Sequence, residues 1–103
     1  MQATSFPPNT GKKIGAFAFE GGDGSSREKA IKIKGAKNSP EGIKAEYAYL
    51  KLALAPKSFA TKKQALMGGE DGKKYDALTV IVDQTTEYTF YFDITDFFGL
   101  FLF

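Results

Sequence analysis

Two hydrophobic periods alternate along the chain. From Ala30 to Lys34 apolar and basic residues alternate, which puts Ile31 and Ile33 on one side of an extended segment and Lys32 and Lys34 on the other. The same period of two returns over Tyr75–Asp83, grouping Leu78, Val80 and Val82, and over Glu87–Ile94, grouping Tyr88, Phe90, Phe92 and Ile94. Between these strands, residues 38–56 (NSPEGIKAEYAYLKLALAP) change to a helical period. Ile43, Tyr47, Leu50 and Leu54 fall at i, i+4, i+7 and i+11 and predict one apolar stripe. Ser39 is placed to cap this helix, Pro40 suits the first helical position, Glu41 complements the macrodipole, and Pro56 stops it. Gly42 weakens the first turn, and nothing in the sequence accounts for it.

The remaining segments complete the pattern. Residues 1–13, with two prolines and little to bury, predict a mobile arm, and residues 14–103 a single domain. Ile14–Glu20 sets Phe17 and Phe19 on one side of an additional N-terminal strand, and GGDGSS (21–26) reads as a flexible break. Ser58–Met67 is the weakest strand signal. It runs into a hairpin loop at 68–73, and Gln84–Thr86 make a second turn. Thr95–Gly99 predicts a helical turn, followed by the apolar ending Leu100–Phe103. The expected fold is α+β: one helix packed on an antiparallel sheet, in the order β-α-β-β-β with the extra N-terminal strand.

Composition narrows the chemistry. The 103 residues include no cysteine, histidine or tryptophan, so disulfides, thiolate metal sites, thiol nucleophiles and histidine triads cannot be built. Fourteen basic and 12 acidic residues leave a formal charge of +2, which argues for neither nucleic acid nor an anionic membrane as partner. No cofactor is implied. The chain as given reads as soluble, either cytoplasmic or the mature form of an exported protein. Candidate acids are Glu70, Asp71, Asp93 and Asp96, and turn or capping roles account for them. Lysines gather at Lys32, Lys34 and Lys37 and again at Lys57, Lys62 and Lys63, a pattern that guards edge strands. GGDGSS and GGEDGKK lack the spacing of a phosphate-binding loop.

The back of the sheet is the more informative surface. If Leu78, Val80, Val82, Phe90 and Phe92 meet the helix, then Tyr75, Ala77, Thr79, Ile81, Thr89 and Tyr91 face away from it. That face is less polar than free surfaces usually are. With the aromatic ending, it makes Tyr75, Thr79, Ile81, Thr89, Tyr91, Phe101 and Phe103 the candidate interaction face, for a second copy or a protein partner. The expected function is a non-catalytic interaction module. The alternative is a binder of a small hydrophobic ligand between helix and sheet, suggested by ten Phe and five Tyr.

Two resemblances bear on these readings. Glu41-Gly42, Ala45-Glu46-Tyr47 and Tyr49-Leu50, with Tyr91-Phe92-Asp93-Ile94 and Phe97-Phe98-Gly99, form a pattern that resembles a small bacterial domain of unassigned function. The resemblance covers Ala30–Gly99 and implies a short exported or periplasmic domain, though this chain carries a further Leu-Phe-Leu-Phe ending. Gln64-Ala65-Leu66-Met67-Gly68 is similar to the inhibitory hairpin of cystatins, with Leu in place of the usual Val. That likeness implies a tight loop inserted into a cysteine-protease cleft.

Overall fold

A computed structural model describes residues 6–9, 11, 13–68 and 71–98. The element order is β1 (Lys13–Ile14), β2 (Phe17–Gly21), β3 (Ile31–Lys34), α1 (Ser39–Leu54), β4 (Phe59–Gly68), β5 (Lys74–Val82) and β6 (Thr86–Asp93). All six strands join one sheet in the order β1-β2-β3-β6-β5-β4. The class is α+β as the periodicity predicts, and the sheet is mostly antiparallel. One pairing differs. β3 runs parallel to β6, with Ile31 opposite Phe92 and Lys32 opposite Asp93, so the sheet is mixed. This pairing joins an N-terminal three-strand unit to the C-terminal meander, with α1 connecting them across one face.

Strand parity sets the core. The β5–β6 register places Leu78 opposite Phe90 and Val80 opposite Tyr88, and the β2–β3 register places Phe19 opposite Ile33. Phe19, Ile31, Ile33, Leu78, Val80, Phe90 and Phe92 are buried under α1. Each contributes about 1.5–3 kcal/mol by leaving water. The additional N-terminal strand is a hairpin: Ile14 faces Phe17 across Gly15-Ala16, with Gly15 at φ 59°.

The helix sits differently from its expected stripe. Its buried residues are Gly42, Ala45, Glu46, Tyr49, Leu50 and Leu54. Ile43 is 45% exposed, and Tyr47 is half-buried with its hydroxyl 2.9 Å from Thr61 Oγ1 on β4. Leu50 and Leu54 lie in both stripes, whereas Ile43 and Tyr47 are turned toward the flank. The reason lies in the first turn. A Cβ built on Gly42 would fall 2.0 Å from Cε1 of Phe97, so the helix backbone lies directly on that ring. The glycine that weakens the helix locally is what permits this approach. Asn38, rather than Ser39, caps the helix: its side chain accepts from Glu41 N at 3.0 Å, and Glu41 Oε1 accepts from Lys37 N at 2.9 Å.

The glycine-rich segment at 21–26 is tightly bonded rather than a loose break. Gly22 and Gly24 donate to the carbonyls of Ala30 and Lys29, and Gly24 O accepts from Tyr91 N at 2.8 Å, extending the pairing of β6 where β3 stops short. A side chain at Gly24 would collide with Ile31 and Phe90. Residues 6–9 of the expected arm lie against the domain. Phe6 packs edge-on to Tyr88 and Phe90, and Asn9 Nδ2 donates to the carbonyls of Gly22 and Glu20. The chain turns at Asp71-Gly72 and again at Asp83-Gln84, and a helical turn follows Ile94, all near their expected places.

Gly42→Ala tests the contact with Phe97. Alanine's better helix propensity, about 1 kcal/mol, is outweighed by overpacking of about 1–3 kcal/mol, so chemical denaturation should show net destabilisation. Combining it with Phe97→Ala, which alone costs about 3–5 kcal/mol, should lose less than the sum of the two.

Candidate functional site

The candidate interaction face is assembled by strand register. Tyr75 pairs with Asp93, Ala77 with Tyr91, Thr79 with Thr89 and Ile81 with Glu87, all on the side of the sheet opposite α1. Lys63, Ala65 and Met67 of β4 continue it, opposite Thr79, Ala77 and Tyr75. Thr79 Oγ1 and Thr89 Oγ1 lie 2.9 Å apart and satisfy each other. The structure brings Tyr75, Thr79, Ile81, Thr89 and Tyr91 together, and Phe101 and Phe103 lie outside the described residues. The centre of the face is closely packed, with Tyr75 and Thr79 only 9% and 3% exposed, whereas Ile81, Thr89 and Tyr91 remain half-accessible.

Its outer margin is open. β4 is the terminal strand of the sheet, ten residues long, and exposed along most of that length. The register slips between Thr61 and Lys63, a bulge that interrupts the edge in its first half. From Lys63 to Gly68 the pairing with β5 is regular, and Leu66 is 59% exposed. The Gln64–Gly68 stretch therefore lies within a straight strand, with the hairpin turn beyond it, and does not form a loop tip.

The carboxylates named from sequence have local duties. Asp93 Oδ1 accepts from the amide and hydroxyl of Thr95 at 3.0 and 2.6 Å, and Asp71 Oδ1 accepts from Lys73 N. Asp96 lies 3.4 Å from Lys32 Nζ and 3.7 Å from Lys34 Nζ, so the first lysine group is paired across the sheet with the C-terminal turn. In the second group Lys62 reaches Glu87 at 2.8 Å. Glu70 lies outside the described residues.

A different acid pair is buried. Glu46, on the sheet-facing side of α1, is 1% exposed and hydrogen-bonds Asp76 of β5, itself buried. Gln64 Nε2 donates to Asp76 Oδ2 at 2.6 Å. Burial first, then the hydrogen bond to Asp76 and its negative charge, push the Glu46 carboxyl up to about 10, so it holds its proton at neutral pH. One of its oxygens, Oε1, has no partner among the described residues. The sequence reading missed this pair. The available signal was that Glu46 stands one turn after Gly42 and one before Leu50, on the buried line of the helix.

A second buried polar atom without a partner among the described residues is the hydroxyl of Tyr49, whose ring lies 5.1 Å from Phe19 and 5.9 Å from Phe92. Among the described residues no helix is long and apolar enough to cross a membrane. Comparison with protein-family models, with curated proteins and with solved structures found no match.

Glu46 gives stability a definite pH dependence. Between the ordinary glutamate value of 4.5 and about 10, the folded chain holds a proton that the unfolded chain has released. Stability attributable to this group should therefore fall as pH rises through that window, by at most about 1.4 kcal/mol per pH unit. Urea unfolding at pH 5, 7 and 9 should show the decline. Glu46→Gln, which keeps a donor toward Asp76 but cannot ionise, should flatten it. A wild-type profile that rises with pH relative to this variant would mean that Glu46 is ionised in the fold.

Proposed function

We propose that this chain is a non-catalytic interaction module that self-associates through the β4 edge and the outer sheet face beside it. The observation that carries the reading is β4 itself: a ten-residue terminal strand whose second half is regular, exposed and free of bulges. An edge of this kind offers a row of backbone donors and acceptors to another strand. Charge permits a second copy as that strand. Lys62 and Lys63 lie in the first half of β4, and Asp71 follows its end. Antiparallel pairing of two β4 strands brings Lys63 of each copy toward Asp71 of the other, in a turn that also carries Lys73. It also makes the two outer faces, with Ile81 and Tyr91 still accessible, one continuous surface. The bulge confines the pairing to about half of the strand, which favours a reversible dimer over an obligate one.

Light scattering after gel filtration, over a range of concentrations, tests the assignment. The wild-type mass should rise toward that of a dimer. Leu66→Lys should return it to the monomer with an unchanged circular-dichroism spectrum, because Leu66 contributes little to the monomer's own core. A wild-type monomer at every concentration would refute self-association. A dimer indifferent to Leu66→Lys but lost on Tyr91→Lys would move the contact from the edge to the face.

A further inference from the structure

We propose that Asp71-Gly72, in the turn between β4 and β5, is a site of spontaneous isoaspartate formation, and that the fold protects the other such pair, Asp23-Gly24, from the same reaction. The chemistry is intramolecular. The amide nitrogen of Gly72 attacks the side-chain carboxyl carbon of Asp71. The new C–N bond closes a succinimide, and the carboxyl OH leaves with the amide proton as water. Water then adds to either ring carbonyl. One opening restores the aspartate. The other leaves the backbone running through the former side-chain carboxyl, one carbon longer, with one carboxylate still free. Glycine after the aspartate favours closure, because it has no side chain to crowd the nitrogen and its backbone turns easily.

The two pairs share a side-chain posture and differ in the two conditions closure needs, a free nitrogen and room to turn. Asp23 Oδ1 accepts from Ser25 N at 3.0 Å and Asp71 Oδ1 from Lys73 N at 3.1 Å, so each carboxyl folds over the peptide that follows it. At the first pair the attacking nitrogen is engaged. Gly24 N donates to Lys29 O at 2.7 Å, and Gly24 O accepts from Tyr91 N at 2.8 Å. Gly24 is also buried, and a Cβ there would fall 2.8 Å from Ile31 Cδ1, so the backbone has no room to swing into a ring. At the second pair Asp71, Gly72 and Lys73 are all exposed, and a Cβ on Gly72 would meet nothing within 4 Å. Among the described residues no backbone carbonyl takes the Gly72 amide. This turn closes the β4–β5 hairpin, whose last pair is Gly68 opposite Lys74, so an added backbone carbon acts on that pair first. The reaction needs a single chain and is independent of self-association.

Ageing of the full chain in warm neutral buffer, with and without urea, tests the proposal. Trypsin separates the two pairs onto residues 14–27 and 64–73. In the folded chain the 64–73 peptide should first lose the mass of one water, then regain its original mass with altered retention. An isoaspartate-specific methyltransferase should label it from S-adenosylmethionine. The 14–27 peptide should change at least about tenfold more slowly, the ratio that about 1.4 kcal/mol of local protection supplies. Urea should bring the two peptides to similar rates. Asp71→Glu keeps the charge but would have to close a larger ring, and should abolish labelling of the folded chain. The proposal is overturned by a folded chain whose 64–73 peptide does not change, by equal rates for the two peptides before unfolding, or by labelling that survives Asp71→Glu. A gap between the peptides that persists in urea would overturn the protective role of the fold at Asp23-Gly24.

Discussion

The contact between the first turn of α1 and the ring of Phe97 governs where everything else on the helix falls. A helix presents one line of side chains to the sheet it covers, and the closest approach fixes which line that is. Here the closest approach is at Gly42, where no Cβ fits against Phe97. With Gly42 on the contact line, the residues one and two turns later are Ala45, Glu46 and Tyr49. The carboxyl of Glu46 is thereby carried into the interior opposite Asp76, and Tyr49 comes to rest between Phe19 and Phe92. Had Ile43 and Tyr47 faced the sheet, both polar groups would have turned toward water. The buried acid pair and the aromatic surroundings of Tyr49 thus follow from one missing side chain.

This dependence explains how much of the fold was legible in the sequence. Strand parity was fully legible, because a period of two in Leu78-Val80-Val82 and Tyr88-Phe90-Phe92 has only one arrangement that buries them together. The outer face, from Tyr75 to Ile81 and from Thr89 to Tyr91, follows from the same parity. The helix stripe was not, because a count of apolar residues gives no weight to a glycine and treats a glutamate as surface. The relevant fact, that Phe97 stands opposite Gly42, joins residues 55 positions apart. The parallel pairing of β3 with β6 was hidden for a similar reason: Ile31 and Phe92 are apolar in any sheet order, and hairpin loops reveal only neighbours that are close in sequence. At 21–26, glycines that read as looseness serve close backbone packing, as the obstruction at Gly24 shows.

The β4 edge combines protection with exposure. Its bulge near Lys62 and the ion pair from Lys62 to Glu87 occupy the first half of the strand, the devices by which sheets discourage indiscriminate pairing. The second half carries none of these, and the exposed Leu66 stands in it. An edge guarded along its whole length would be explained by solubility alone. One guarded over half and left regular over the rest restricts pairing to a particular register, because a strand that slides toward the bulge loses its partners and brings lysines together.

Buried polar atoms that lack partners are the least economical feature of the chain. A phenylalanine at position 49 would keep the ring contacts with Phe19 and Phe92 and avoid leaving a hydroxyl unsatisfied, a difference of about 1–3 kcal/mol. For a domain of this size that is an appreciable part of the net stability. Glu46 differs in kind, since its proton is held toward Asp76 and Gln64 completes the arrangement from the exposed edge strand. That network has an internal reason to exist: it fixes the register of α1 over β5 and β4, where apolar contacts alone would tolerate a shift by one turn. Among the described residues no group pairs with the oxygen of Tyr49. Its ring lines a cavity beside Pro7 and Pro8, and burial first, then the negative charge of Asp23, push its hydroxyl up to about 12.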